Sequence, residues 1–499
     1  VKNNLSSVLS SDRDINLVYF SFVYIIQQML VTNKLSEKHF VILTNCLHKV
    51  IGNESINPSQ SLLLGLTNVL PQEYSVSCQN IDLDMGEQNQ KQINLLINEI
   101  LNSSIKDRVV CLRYNQRWIR EYGKYSADLK LKEETLKLGG VYLIAGGLGN
   151  IGFSLSKYLI NHYNAKIILI GRSSIEQIRS EPKAPAFSHL QELKDISKDV
   201  FYYKGDITNK KQLEKIITEV IADHSKIDGI IHAAGDMGWD NFELIEDISI
   251  EKAVNIFSPK INGIENIYEL SKDHKFDFVW IASNLATVLG GLSYSSCSSA
   301  NLYMEHFVLS RKEDVCKWKV VSFGEIDFGY TEQKAEVGNR VALNPVELGE
   351  LFKWSLSVLE TCVVYETTED LLSRLHKTYS AKKQVYMDSA LTTEDLEQLE
   401  RPNLSNAYVE PQTPTEKKLV KMIEVFFGMG NIGIEDNFFE LGGDSLKAMI
   451  LMKRIEKEFK IRIVLLDFFK AENIKQISDN IDEKLWINKS SEKQFVSII

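Results

Sequence analysis

Two stretches of this chain place reactive or ligand-binding residue types at a spacing that makes the chemistry concrete. The first is Asp436-Asn437-Phe438-Phe439-Glu440-Leu441-Gly442-Gly443-Asp444-Ser445-Leu446. Paired glycines permit a turn that exposes the residues after it. Ser445 then opens an amphipathic run, 445–459, at whose start backbone N–H groups and the helix dipole favour a phosphodiester. A serine in that place is otherwise an N-cap. The N-cap reading accounts for Ser445 alone. It leaves unexplained Phe438, Phe439 and Leu441, which suit anchoring the loop on a core.

The second stretch is Gly146-Gly147-Leu148-Gly149-Asn150-Ile151-Gly152, set between a strand-like run and a helical one. Its glycines allow a tight turn and bring N–H groups to a pyrophosphate at the helix N-terminus. The plainer alternative is that they only let helix and strand pack. The next apolar run, 166–171, ends in Gly171-Arg172-Ser173. A dinucleotide site has an acid there for NAD and a basic residue for the 2′-phosphate of NADP, so Arg172 favours NADP. Asp206 closes the third run, within reach of an adenine amine, and Ala233, Ala234 and Gly235 supply small residues beside the cofactor. The expected contacts are therefore Gly146, Gly147, Leu148, Gly149, Ile151, Gly152, Arg172, Ser173, Asp206, Ile207, Ala233, Ala234 and Gly235.

The elements that must position these loops are set by periodicity. Residues 138–375 alternate strand and helix: VYLIAG (141–146), helix 151–163, KIILIG (166–171), FYYKGD (201–206), helix 210–224, IDGIIHAAG (227–235) and FDFVWIAS (276–283). Continuous apolar strands between amphipathic helices imply a parallel sheet covered on both faces, the doubly wound α/β architecture. Residues 1–137 mix helical and strand-like runs, with a helix over 91–105 before the strand VVCLRY (109–114), and nothing there reads as catalytic. Polar, proline-bearing residues 376–412 read as a linker. Apolar residues recur at helical spacing over 415–427, 445–459 and 473–484, which makes residues 413–485 a small all-α bundle with a tail at 486–499.

Composition bounds the rest. The chain has 499 residues, 44% hydrophobic and 25% charged, enough for about three soluble domains. A net charge of −10 without a Lys/Arg cluster argues against a nucleic-acid surface. Cys46, Cys78, Cys111, Cys297, Cys316 and Cys362 are scattered without a CxxC pair, so neither a metal site nor a disulfide framework is expected, and a reducing cytoplasm fits. The run NLVYFSFVYIIQQML (16–30) is short for a membrane span and holds Gln27 and Gln28, so a buried helix is expected. No signal peptide opens the chain; it starts without Met, which reads as a piece of something larger.

GGLGNIG, GRSS, GDIT and HAAG, in this order and spacing, resemble the short-chain dehydrogenase/reductase family, and more narrowly the ketoreductase domain of modular polyketide synthases. NPSQSLLLGLTNVLPQEY (57–74) followed by IDLD (81–84) resembles the truncated, non-catalytic subdomain that precedes such ketoreductases. DNFFELGGDSL resembles the attachment site of acyl and peptidyl carrier proteins, and RPNLSNAYVEP (401–411) leans toward the peptidyl style of mixed polyketide–peptide lines. The resemblance implies two Rossmann-like subdomains, 1–137 truncated and 138–375 catalytic in type, NADPH as reductant, and 4′-phosphopantetheine held covalently on Ser445. It implies as partners a phosphopantetheinyl transferase and other domains of the same synthase: ketosynthase, acyltransferase and downstream module.

The family's catalytic pattern has a Ser and a Tyr thirteen residues apart, an Asn four after the Tyr, and a Lys. Asn301 fixes the register, and Lys260 in SPKING matches the Lys. The Tyr position is then Cys297 and the Ser position is Asn284. Ser283 is one residue out of register, and Tyr294 is three residues early. HAAGDMGWDNF (232–242) also lacks the paired Asp that marks stereochemistry in the family, and no Trp lies between Asn284 and Cys297. The expectation is a carrier beside a reductase fold whose β-keto reduction is lost or very weak. An active NADPH-dependent β-ketoacyl reductase acting on the carrier-bound chain is the alternative; a standalone dehydrogenase is argued against by the carrier motif. For Cys297 a reactive nucleophile is weighed against a small residue in a packed helix start, and the latter is preferred because no His neighbours it in sequence.

Overall fold

The computed structural model describes residues 15–52, 54–84, 90–102, 107–123, 135–235, 238, 241–311, 316–328, 342–366, 371, 404, 406–427, 429–441, 443, 445–461, 463, 467–468 and 471–494. They form two compact units, one of residues 1–32, 39–70 and 77–380, the other of 33–38, 71–76 and 381–499.

The first unit opens with a π-turn, Asn16–Phe20, running into helix α1, Ser21–Val31. Only one face is covered: Phe22, Val23 and Ile26 are buried, while Tyr24, Ile25 and Val31 are exposed. The expected buried helix is thus half-buried. No helix among the described residues is long and apolar enough to cross a membrane. A four-stranded sheet comes next, in the order β1 (His39–Asn45), β2 (Ser77–Leu83), β3 (Val109–Arg113), β4 (Gln116–Ile119). The first three strands are parallel and the last turns back antiparallel. That hairpin pivots on Tyr114 and Asn115, both at positive φ, as a tight right-twisted turn requires. Helices α2 (Leu62–Glu73) and α3 (Gln90–Asn102) accompany it.

The second sheet has seven parallel strands: β5 (Val141–Ala145), β6 (Lys166–Gly171), β7 (Val200–Lys204), β8 (Gly229–His232), β9 (Phe278–Asn284), β10 (Lys317–Phe323) and β11 (Cys362–Tyr365). Their order is β11-β10-β9-β8-β5-β6-β7. The chain winds outward from β5 to β7, then crosses back to β8 on the other side of β5. A crevice opens at such a reversal, outside the carboxyl ends of the strands. Helices α4 (Asn150–Tyr163), α5 (Lys210–His224), α6 (Ile250–Ser271), α7 (Ser295–Leu309) and α8 (Pro345–Ser357) complete the layers. On the face carrying α4 and α8, Ile144, Leu155, Leu159, Trp280 and Phe352 share one core, and the Trp280 indole donates to Ser355 at 2.9 Å.

Helix α7 is held from the first sheet's side. Tyr19 Oη lies 2.9 Å from Ser296 Oγ, and Ser299 Oγ donates to the Leu62 carbonyl at 2.7 Å. A Cβ on Gly65 would come 2.2 Å from Ser299 Oγ, so a helix–helix approach this close tolerates no side chain there. The truncated half is therefore packed directly against the helix that carries Cys297 and Asn301.

The second unit holds helices α9 (Pro414–Phe427), α10 (Ser445–Phe459) and α11 (Ile474–Gln494) around Leu419, Ile423, Phe426, Leu451, Ile455, Ile477 and Ile481. Helix α11 runs ten residues past the expected end at 484, because the stretch beyond, LWINKSSEKQ, contains neither Pro nor Gly to stop it. Most of 376–412 lies outside the described residues.

Candidate functional site

The glycine loop leaves β5 at Gly146, whose φ is +76° and whose Cβ, if present, would lie 2.8 Å from the Ala233 carbonyl oxygen. On Gly152 a Cβ would meet the Gly146 carbonyl at 2.5 Å. Both positions need glycine for close backbone approach, which is the packing reading. A second property is not explained by packing. Gly149, exposed, is the N-cap of α4 and provides no side-chain cap, so the first N–H groups of a 14-residue helix face the crevice without one. That uncapped terminus fits a pyrophosphate.

The other expected cofactor residues sit at the same sheet edge. Arg172 and Ser173 are exposed just beyond β6. Asp206 and Ile207 come after β7; the Asp206 carboxylate accepts from Thr208 N at 2.9 Å, and the Ile207 carbonyl accepts from Asn266 Nδ2 at 2.9 Å. Ala233 N donates to the Ala145 carbonyl at 3.0 Å, which sets Ala233, Ala234 and Gly235 beside Gly146. His232, fully buried at the end of β8, is pushed down to about 4, first by burial and then by the Lys260 charge.

Four residues from three elements meet at one point. Lys260 lies in α6, Asn284 ends β9, and Cys297 and Asn301 lie one turn apart in α7. Lys260 Nζ donates to Asn301 Oδ1 at 2.5 Å and lies 3.6 Å from Cys297 Sγ. Asn284 Nδ2 is 3.4 Å from the same sulfur, and Asn301 Nδ2 is 3.9 Å from it. Asn284 Oδ1 accepts from Ala286 N at 3.1 Å, so its amide is oriented with nitrogen toward the sulfur. Lys260, Cys297 and Asn301 are buried and Asn284 is half-buried.

Ser283, out of register, is buried, and among the described residues its hydroxyl has no hydrogen-bond partner. Tyr294 is the N-cap residue of α7; its ring packs on Phe242 at 4.7 Å and burial pushes its phenol up to about 12. One residue was not among those the sequence motifs singled out. Glu305, one turn beyond Asn301, is buried; Ser322 Oγ donates to its carboxyl at 2.9 Å, and Thr287 Oγ1 lies 3.3 Å from Ser322 Oγ and 3.2 Å from the Asn284 carbonyl. Burial raises the Glu305 carboxyl above the usual range. The 297, 301, 305 spacing on an apolar helix was the available signal.

In the second unit, Asp436 is fully buried and accepts from Gly433 N at 2.8 Å. Asn437 Oδ1 accepts from Phe439 N at 2.8 Å, and its amide donates to the Glu472 carbonyl at 2.8 Å. Phe438 and Leu441 are buried as anchors, with Phe439 half-buried. Gly443 must be glycine, since a Cβ would meet Phe438 Cε1 at 2.3 Å. Ser445 is the first residue of α10; its side chain, Gly442 and Asp444 lie outside the described residues.

Two stretches of the chain match known families. Residues 140–327 match the KR domain family, and residues 417–481 match the phosphopantetheine attachment site family. The KR family uses NADPH, and the attachment-site family bears covalent 4′-phosphopantetheine. Polyketide synthase PksN of Bacillus subtilis (strain 168) is 26% identical over 258 residues, 51% of this chain and 4% of that protein. Polyketide synthase PksM of the same organism is 30% identical over 203 residues, 40% of this chain and 4% of that protein. The chain thus spans only a small part of these relatives. Among solved structures, a ketoreductase domain from the bacillaene assembly line superposes with a TM-score of 0.60 at 19% identity, covering 73% of this chain and 85% of that one. An A1-type ketoreductase does so with a TM-score of 0.63 at 16% identity, covering 76% and 78%. The chain carries a KR domain and, after it, a phosphopantetheine-binding carrier domain, and its homologues are polyketide synthases.

Proposed function

We propose that the chain is a reductase-fold and carrier segment of a modular polyketide or polyketide–peptide synthase. Ser445 carries the phosphopantetheine arm, and the arm presents an acyl thioester to other domains. The KR domain contributes little or no β-keto reduction. The observation that supports this most directly is Cys297 Sγ lying 3.4 Å from Asn284 Nδ2, so that the two groups expected to meet a substrate oxygen are a buried thiol and an amide.

NADPH, when bound, supplies hydride; the uncapped start of α4 would hold its pyrophosphate and Arg172 its 2′-phosphate. The residues of the chain must then deliver a proton to the carbonyl oxygen. Lys260 and Asn301 remain paired for that work. A cysteine side chain is shorter than a tyrosine and ends where the ring would begin, and general acid catalysis needs geometry before acidity. Loss of one oxyanion donor typically costs about 10²–10³ in rate. Asn284 still offers an N–H, turned toward the sulfur.

Two measurements test the reading. Purified chain with NADPH and a β-ketoacyl thioester is expected to show no loss of nicotinamide absorbance above background; robust turnover overturns the inactive assignment in favour of a working reductase. Coenzyme A and a phosphopantetheinyl transferase are expected to add one arm by intact mass; equal gain on Ser445→Ala refutes the attachment site.

A further inference from the structure

We propose that His189 is a positioning residue for the cofactor loop: it holds the Leu148 carbonyl turned into the protein, so that the start of α4 stays open to a pyrophosphate. This role rests on the NADPH reading above and adds to it a residue outside the glycine motif.

His189 lies in a helix of 12 residues, Pro185–Ile196, which comes between β6 and β7 and packs on α4. Its Nδ1 donates to the Leu148 carbonyl at 2.9 Å; a carbonyl only accepts, so that nitrogen carries the proton. The imidazole is stacked on the Phe153 ring, with centroids 4.1 Å apart and planes 8° from parallel. Lys157, one turn along α4, joins the same contact: its Nζ lies 5.3 Å from the Phe153 ring centroid and 2.5 Å from Glu192 Oε1, one turn beyond His189. His189 is 4% exposed. The oxygen it holds therefore faces the contact between the two helices and not the crevice.

The consequence for the loop follows from peptide geometry. The C=O of Leu148 and the N–H of Gly149 belong to one planar trans peptide and point in opposite directions. With the carbonyl on His189, the Gly149 N–H reaches the Gly146 carbonyl at 3.0 Å and closes the turn. Phe153 N then donates to the Gly149 carbonyl at 2.8 Å, in the first turn of α4. Leu148 is flanked by Gly147 and Gly149, and glycine adopts backbone conformations closed to other residues. A flip of the 148–149 peptide would break the bond to Gly146. It would also swing a carbonyl oxygen, with its partial negative charge, out of the protein beside the helix start where an anion binds.

Packing against Phe153 and bonding to Leu148 are separable roles. Any flat ring at position 189 serves the first, and only a donor serves the second. His189→Phe keeps a ring against Phe153 and removes the donor. His189→Asn keeps an N–H donor where Nδ1 stands and removes the ring.

The test uses the full chain, with affinities for NADPH and for NADH measured by nicotinamide fluorescence titration. His189→Ala and His189→Phe are expected to weaken both cofactors by the same factor, about three- to tenfold, the scale of one neutral hydrogen bond. Equal loss is expected because the pyrophosphate is common to both. His189→Asn is expected to bind both as the parent does. Should His189→Ala unfold, as read by its urea midpoint, the Phe and Asn variants carry the comparison. Parental affinity in His189→Phe with loss in His189→Asn assigns a packing role and overturns the proposal. Parental affinity in every variant, or a loss confined to NADPH, overturns it as well. A parent chain that binds neither cofactor overturns the cofactor reading and this role together, whereas a parent that binds and variants that match it refute this role alone.

Discussion

Lys260 Nζ lies between Asn301 Oδ1, at 2.5 Å, and Cys297 Sγ, at 3.6 Å, so one lysine side chain bridges an amide oxygen and a thiol on the same helix. The Lys–Asn pair keeps its geometry because α6 and α7 are packed together in the core, whether or not a phenol stands at position 297.

That relationship sets a gain-of-function expectation. Asn284→Ser combined with Cys297→Tyr restores both groups on a backbone that already places Lys260 and Asn301. NADPH-dependent reduction of a β-ketoacyl thioester is expected to rise by at least about 10²-fold over the parent, the scale of a recovered oxyanion donor. Following absorbance of the reduced nicotinamide measures it, and a double variant as slow as the parent sinks the account.

Arg172 sets a second expectation. It is exposed immediately beyond β6, where a 2′-phosphate would lie. Arg172→Ala is expected to weaken NADPH binding by about 10- to 100-fold, the scale of a lost hydrogen bond to a charged group, and to leave NADH almost unaffected. Nicotinamide fluorescence titration of both cofactors separates the two; equal loss for both would mean that Arg172 acts through the fold.

The buried histidines give a pH dependence with a definite sign. Burial holds His232 down at about 4 and His306 at about 3, with Lys260 adding to the first and His48 to the second. Both are neutral in the folded chain, while in the unfolded chain they take up protons near pH 6.5. The unfolded state binds more protons between these values, so stability is full above about pH 6.5 and falls as pH drops toward about 4. Urea midpoints measured from about pH 7.5 to about pH 5 are expected to decline, and His306→Gln is expected to flatten the slope. A slope unchanged by that variant would place the acid sensitivity elsewhere.

In the second unit, Gly443→Ala forces a Cβ to within 2.3 Å of Phe438 Cε1 and 2.4 Å of the Phe438 carbonyl oxygen. Overpacking of this kind costs about 1–3 kcal/mol. The expected outcome is a lower urea midpoint for the carrier and slower loading by the transferase, because Phe438 anchors the loop that leads to Ser445. Unchanged loading would show that the loop tolerates displacement of that ring.

Much of the architecture was legible because its signals are local. Strands 166–171 and 109–113 and helices 210–224 and 445–459 begin and end within a residue of where apolar periodicity sets them. The glycines were legible in kind, since only close approach or positive φ demands them, as at Gly146. The end of α11 was not, because nothing in its extension forbids helix, and after Leu485, Trp486 and Ile487 no apolar residue recurs to carry the periodicity on to Gln494. The half-exposed state of α1 was missed for a related reason: Tyr24, Ile25 and Val31 are as apolar as their buried neighbours, and burial depends on which groups pack against them.

By itself the sequence determined that Asn284, Cys297, Lys260 and Asn301 are the residues to compare, and that a serine comes shortly after a glycine pair at the start of α10. Only the tertiary structure decided which groups surround the sulfur. The donors come from positions 260, 284 and 301, on elements far apart along the chain, and the orientation of each amide is fixed by a bond to a third group. The distance from a sulfur to three nitrogens is a product of how α6, β9 and α7 pack, and no spacing along one strand or helix encodes it.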